Sequence, residues 1–232
     1  MEVVADATFR DRAVFLDGVL VVADLHVGRG VASNVELPVG DGVDMVERLQ
    51  ALCEQFTPDV VVIAGDLLHS FETVPRLVDE TVSEFREIAR RVDAGIVVTP
   101  GNHDTMLDVV WDGQTTPEFR IEGTDTVVCH GHVEPDTEAA RYIIGHDHPA
   151  ISIQGRKRQC ALVGEGVYRG ADVIVLPTFN RLVSGVEINQ LTASDFMSPL
   201  VTDLDAFAPL VRDEAANETL SFPPLGEFRH RL

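Results

Sequence analysis

The sequence predicts an α/β fold made of two packed β-sheets flanked by helices. Three observations carry this. Strand-like and helix-like segments alternate through the first hundred residues, the pattern of an α/β domain. Later segments are short strands with little helix between them, which suggests a second, more antiparallel sheet packed on the first. Each strong strand stops at a polar cluster, and in open α/β sheets sites form beyond the carboxyl ends of the strands.

The elements follow in order. "AVFLDGVLVVADLH" reads as two strands around an Asp17-Gly18 turn. "VERLQALCEQF" places Val46, Leu49, Leu52, Cys53 and Phe56 at helical spacing. "DVVVIAGD" is a continuous apolar run ending in glycine, as a buried parallel strand is. Pro75 is placed to open a second long helix, with Leu77, Val78, Val82, Phe85, Ile88, Ala89 and Val92 on one face. "GIVVTPGNHD" is again strand then loop. "DTVVCHGH", "RYIIGHDHP", "AISIQ", "QCALVG" and "ADVIVLP" are the strands of the second half. The tail from about Ser198 mixes polar residues and prolines and is expected to wrap the body, leaving residues 1–232 as one domain.

Composition narrows the class. The 232 residues fit one large domain with a sizeable core, and 45% hydrophobic content is ordinary for a globular chain. No apolar run reaches the ~18 residues that span a bilayer. "MEVVADATFRDR" has no basic region followed by an apolar stretch, so no signal peptide is expected and the reading is cytoplasmic, with no membrane partner. Cys53, Cys129 and Cys160 are scattered and odd in number, which fits core filling in a reducing compartment. Net charge is −20, and Lys157 is the only lysine. That balance resembles the proteins of salt-loving archaea, where at ~1 M salt a Debye length of about 3 Å screens self-repulsion.

The polar clusters carry the chemistry. Asp24 and His26 end one strand. Asp66, with His69 after it, ends the next. Asn102, His103 and Asp104 follow the third, His130 and His132 the fourth, and His146 and His148 the fifth. Seven of the eight histidines lie in these clusters. Residues i and i+2 of an extended segment face the same way, so the pairs Asp24/His26 and His146/His148 could each face one point. The donors are oxygen and imidazole without thiolate, which suits manganese, iron, zinc or magnesium better than a structural zinc site. There are more donors than one tetrahedral ion needs. Two divalent ions sharing a bridging carboxylate would use them, activating water and clamping a phosphoryl group.

The series "DLH", "GD", "GNHD", "CHGH" and "GHDH", in this order from Asp24 to His148, resembles the calcineurin-like metallophosphoesterases. "ADLHVGRG", "LPVG", "GDLLHS", "GHDHPA", "GRKRQC" and a late "LPTFN" are similar to one branch of them, the archaeal Mre11/SbcD-related phosphoesterases and the bacterial ligase-associated DNA damage response nuclease. The Ser/Thr protein phosphatases fit less well, because "GDLLHS" and "GNHD" stand where they carry "GDxxDRG" and "GNHE".

The resemblance implies a four-layer metallophosphoesterase-like fold. It also implies roles. Asp24, His26, Asp66 and His148 would hold a first ion, and Asp66, Asn102, His130 and His146 a second, with Asp66 bridging. His130 is preferred to His132, two residues on. His103 would protonate the leaving oxygen, a task for a group titrating near neutrality, and Asp104 would orient it. Arg29, His69 and His132 would lie near substrate, though His69 could instead cap the following helix. The nucleophile would be a hydroxide held by the metals, with manganese the leading metal. The leading substrate is DNA, with small nucleotides as the alternative, and a repair or helicase partner is implied. A metal-stabilised non-catalytic subunit is a third reading. Arg156, Lys157 and Arg158 are either a phosphate-binding patch or a solvated hairpin tip.

Overall fold

A computed structural model describes residues 4–32, 42–69, 74, 76–213 and 216–232. The first sheet has six strands: β1 (Ala7–Arg10), β2 (Ala13–Leu16), β3 (Val19–Ala23), β4 (Val60–Ala64), β5 (Gly95–Thr99) and β6 (Gln114–Thr115), adjacent in that order. A one-turn helix α1 (Arg29–Ala32) and the long helix α2 (Val43–Phe56) lie between β3 and β4. Helix α3 (Arg76–Arg91) joins β4 to β5, and the short α4 (Leu107–Val110) follows β5. Pro75 and the "LPVG" segment lie outside the described residues.

Strands β3, β4 and β5 are parallel, with Ala23, Ala64 and Thr99 in one row. The strands therefore stop together, and the residues after them are delivered to one end of the sheet. Helix α2 stops at Thr57, which turns left-handed and returns its amide to the Cys53 carbonyl, ahead of Pro58, which disfavours helix at the residue before it. Leu77, expected on the buried face of α3, is instead 36% exposed, whereas Val78, Val82 and Phe85 are buried.

The second sheet holds β7 (Glu118–Ile121), β8 (Thr126–Cys129), β9 (Arg141–Ile144), β10 (Pro149–Ile153), β11 (Arg156–Tyr168), β12 (Ala171–Val175), β13 (Val186–Glu187), β14 (Phe207–Asp213) and β15 (Glu218–Ser221). Most of its pairs are antiparallel, as expected. The strands that carry histidines depart from this, because β8 pairs β9 in parallel and β9 pairs β12 in parallel. The tail contributes more than a wrapping: β14 hydrogen-bonds along β11 and β15 along β14, before the short helix α5 (Leu225–Phe228).

Alternation along the strands explains why they are apolar throughout. In β3, Leu20 and Val22 face the helices α2 and α3, while Val19, Val21 and Ala23 face the other sheet. In β9, Ile143 faces the first sheet, and Tyr142 and Ile144 face the tail segment with Leu200, Phe207 and Leu225. Three cores thus separate four layers: helices, first sheet, second sheet and tail. The three cysteines are buried and unpaired within these cores. No described helix is long and apolar enough to cross a membrane.

Candidate metal centre

The parallel strands of both sheets end at one place. Beyond Ala23 come Asp24 and His26, beyond Ala64 comes Asp66, and beyond Thr99 come Asn102, His103 and Asp104. From the second sheet, His130 follows β8, and His146 and His148 follow β9. Backbone hydrogen bonds weld these loops together: the His26 amide donates to the Asp66 carbonyl (2.8 Å), and the Gly145 amide to that of His130 (3.1 Å).

Of the i, i+2 pairs, Asp24 and His26 converge, though not as an extended pleat, whereas His146 and His148 part, His146 beside His130 and His148 beside His26 and Asp24. Asp24 (φ 52°), His26 (φ 42°), Asp66 (φ 43°), His146 (φ 74°) and His148 (φ 47°) are all left-handed. That region costs an L-residue roughly 1–2 kcal/mol, and such strain gathers where a site demands it. Past β3 the chain coils sharply, turning Asp24 and His26 to a common point while Leu25 is buried behind them.

Two groups of donors result. His26 Nε2 lies 3.2 Å from His148 Nε2, which is 3.5 Å from Asp24 Oδ2. His130 Nε2 lies 3.0 Å from Asn102 Oδ1 and 3.1 Å from His146 Nδ1. Asp66 Oδ2 stands between them, 3.7 Å from His26 Nε2 and 3.6 Å from His130 Nε2. Ligand atoms about 2.0–2.2 Å from a common ion, at 90–110° to one another, are about 3.0–3.5 Å apart. Asp24 Oδ1 also lies 3.6 Å from His130, but from Nδ1. That nitrogen faces the Ala64 carbonyl at 3.4 Å, and a proton there leaves the lone pair on Nε2, as ligating imidazoles are commonly arranged. Asp24 therefore groups with His26 and His148.

The donor set fits cations on its electrostatics as well. Asp24 is wholly buried, and its Oδ1 has no hydrogen-bond partner, an arrangement that is costly unless something positive faces the oxygen. Burial, then the charge of Asp24, pushes Asp66 up to about 7. Burial also raises Asp24. Burial, then neighbouring imidazole charge, pushes His26 and His130 down to about 2 and His146 down to about 4. His148 goes the other way: burial lowers it, but the charge and hydrogen bond of Asp24 outweigh that. Imidazoles held mostly neutral beside carboxylates stripped of water are a donor set that suits a cation.

Three glycines leave room for this. A Cβ on Gly65 (φ 79°) would stand 2.0 Å from His130 Nδ1. One on Gly101 would stand 2.1 Å from Asp66 Oδ1, and one on Gly145 2.5 Å from Asp24 Oδ2.

The remaining residues take definite places. His103 donates its amide to Asp66 Oδ1 (2.9 Å), and its half-exposed side chain places its ring 5.3 Å from that of His26. His69 stacks at 6.2 Å on the His103 ring and lies 5.9 Å from that of His26, beside the donors. His132 flanks His130 at 5.0 Å between ring centres, and the tight donor contacts go to His130. The charge of Arg29 is close enough to help depress His26. The Asp104 carboxylate accepts from the backbone amides of Leu67, Leu68 and Gly101 (3.3, 2.9 and 2.9 Å), so it ties two loops together.

Sequence reasoning missed the residues that hold the strained loops. Thr178 Oγ1 donates to the Asp24 carbonyl (2.7 Å), and Asn180 Nδ2 donates to that of Leu25 (2.9 Å). Asp147, between the two histidines, accepts from the amides of Met197 and Ser198 (2.8 and 3.2 Å). "LPTFN" was the available signal for the first two; partners so distant in sequence leave none for Asp147.

The family described as calcineurin-like phosphoesterase matches residues 18–151, more than half of the chain. A solved structure, a Pseudomonas putida nuclease MPE, superposes with a TM-score of 0.62 at 22% identity, covering 87% of this chain and 88% of that one. At that identity it is the fold that is shared. A Bacillus subtilis protein named pyridoxine kinase is 32% identical over 92 residues, 37% of this chain. The chain spans about a third (34%) of the length of that curated relative, whose name carries no weight for an activity here.

Proposed function

The chain belongs to the calcineurin-like phosphoesterase family, and we propose that it is a nuclease, hydrolysing phosphodiester bonds of nucleic acid with two divalent cations held between its sheets. The observation that carries the two-ion reading is the position of Asp66 Oδ2, 3.7 Å from a histidine of one donor group and 3.6 Å from a histidine of the other. Asp24, His26, Asp66 and His148 would hold one cation, and Asp66, Asn102, His130 and His146 the second. Manganese is the leading choice; the oxygen and imidazole donors also suit iron, zinc or magnesium. Bound there, the cations supply Lewis acidity, lowering the pKa of water and neutralising phosphoryl oxygens.

The protein's own groups do the rest. The amide of His103 on Asp66 Oδ1 holds that loop against the donors, and its half-exposed side chain can give a proton to the leaving oxygen. Asp104 keeps the same loop in place through three amides. Arg29, His69 and His132 flank the donors where substrate would approach.

Nucleic acid is favoured over a small nucleotide because, among the described residues, the centre is open: Asn102 is exposed and His103 half-exposed. The same openness argues against a capped, non-catalytic subunit. The P. putida protein that shares the fold is named a nuclease, a fold-level analogy that points the same way. A cytoplasmic role in DNA repair, beside a helicase or another repair partner, rests on the sequence resemblance.

The test is hydrolysis in molar KCl with each divalent metal, comparing single-stranded DNA, duplex DNA and bis-p-nitrophenyl phosphate. Metal-dependent cleavage of DNA is expected, with two ions per chain by elemental analysis. Hydrolysis of the small diester alone would move the substrate to nucleotides, and inertness with every metal would remove the catalytic reading.

A further inference from the structure

A groove of about 550 Å³ lies outside the metal centre, and its lining has a charge unlike that of the chain. Arg12, Lys157, Arg158, Arg181 and Arg212 line it, against two acids, Asp11 and Asp213. Five cations and two anions give a local balance of +3, in a protein whose net charge is −20. Beyond Arg181, which pairs Asp44 at 2.8 Å, the surface is mixed, with Arg10 and Arg48 among Asp44 and Glu47.

The groove adjoins the loops that carry the donors. Arg12 Nη1 donates to the carbonyls of Thr178 and Asn180 (3.2 and 3.1 Å), and those two residues hold the Asp24–His26 loop through their side chains. Lys157 Nζ donates to the Gly185 carbonyl (2.7 Å), and the next residue, Val186, donates its amide to the His148 carbonyl (2.8 Å). The segment from Thr178 to Val186 thus borders the groove on one side and the donors His26 and His148 on the other.

We propose that this groove binds the backbone phosphates of a nucleic-acid strand that reaches the metal centre from the His26 and His148 side. The inference rests on the nuclease reading above. Four of the five cations are arginines, whose planar forks pair phosphate oxygens at short range. That matters in molar salt, where long-range attraction is screened. Among the described residues no aromatic lines the groove, so they offer no platform for stacked bases and would grip any sequence alike. The hairpin tip at Lys157 and Arg158 becomes a working part of the surface.

The test uses the metal-loaded full chain and a fluorescently labelled 20-nucleotide single strand with phosphorothioate linkages, followed by polarisation across a KCl series. The double variant Lys157→Ala/Arg158→Ala is compared with Arg169→Ala, an exposed arginine elsewhere that pairs Glu134. Melting temperature and metal content serve as fold controls. The double variant should bind at least about tenfold more weakly, with the slope of log K against log salt reduced by about 0.7 per lost phosphate contact. Arg169→Ala should bind as wild type. Unchanged affinity in the double variant, or no binding by wild type, overturns the groove. So does tighter binding of poly-glutamate than of the oligonucleotide, which would assign the surface to an acidic polypeptide. Failure of the nuclease reading shows separately, as absence of DNA hydrolysis by wild type whatever the groove does.

Discussion

Of the two donor groups, the first sheet supplies carboxylates and an amide, Asp24, Asp66 and Asn102, with one imidazole, His26. The second supplies imidazoles alone, His130, His146 and His148. Both use the same backbone device, a left-handed residue just past the strand, and both depend on a glycine that belongs to the opposite side. Gly65 of the first sheet makes room for His130 of the second, and Gly145 of the second makes room for Asp24 of the first. Neither sheet offers a complete donor group by itself. The acids are raised and most of the imidazoles lowered because packing the sheets strips both of water. Cation affinity in this protein is therefore a property of the sheet–sheet contact.

The sharpest way to break that comparison is at the residue between the two groups. Asp66→Asn should lose at least one ion and lower turnover on the order of 10³-fold or more, since an amide bridges two cations poorly and the lost charge stabilisation is worth several kcal/mol. Full double occupancy by elemental analysis of the variant would contradict the bridging role.

His103→Ala separates proton transfer from metal binding. Both ions should remain, and turnover should fall by a factor on the order of 10²–10⁴ on DNA, whose leaving oxygen needs a proton. The loss should shrink on a p-nitrophenyl diester. His146→Ala should instead lose metal and fail on both substrates alike. If His103→Ala strips an ion or slows both substrates equally, the division of roles is wrong.

A smaller effect tests the reciprocal glycines. In Gly145→Ala the new methyl would stand 2.5 Å from Asp24 Oδ2. Displacing that carboxylate should weaken metal affinity by about 10–100-fold, the range seen when ligand orientation is disturbed. Titration calorimetry reads it, and wild-type affinity would mean that Asp24 has room to move. Asn180→Ala probes the same loop from behind. Leaving the Leu25 carbonyl without its donor should cost about 1–3 kcal/mol of stability, with the first ion's affinity falling more than the second's.

The smallest expected effect concerns the surface that both sheets share. With net charge −20, raising KCl towards molar levels should relieve self-repulsion and lift the melting temperature. About 1 kcal/mol corresponds to about 2–4 °C for a domain of this size. A melting temperature flat across the series would remove the argument from salt.

The donors were legible because their types are rare and their places regular. Histidine occurs eight times, seven of them at strand ends, and an apolar run that stops at Asp or His is visible without coordinates. The α/β alternation of the first half was legible for the same reason, since β3, β4 and β5 are buried on both faces and their crossover helices are amphipathic. The second sheet was less legible. Short strands without helices between them read as antiparallel, yet β8 and β9 run parallel, because pairing partners are chosen by packing against the first sheet and not by the connecting loop. The tail was expected to wrap, but β14 adds to β11, a long-range choice that local composition does not encode.

What the sequence by itself determined is the inventory: which side chains could hold cations, that their number exceeds one ion's need, and that strand ends carry them. Tertiary structure alone decided the partition into groups, the side of Asp66 that faces both, and the work of Asp104, Thr178 and Asn180. It also gathered Arg12, Lys157, Arg158, Arg181 and Arg212 from four separate stretches of chain into one groove. The reason is physical. A ligand type is a property of one residue, whereas a distance of 3–4 Å between donors depends on two sheets packing in one register, and on hydrogen bonds from side chains to carbonyls more than a hundred positions away.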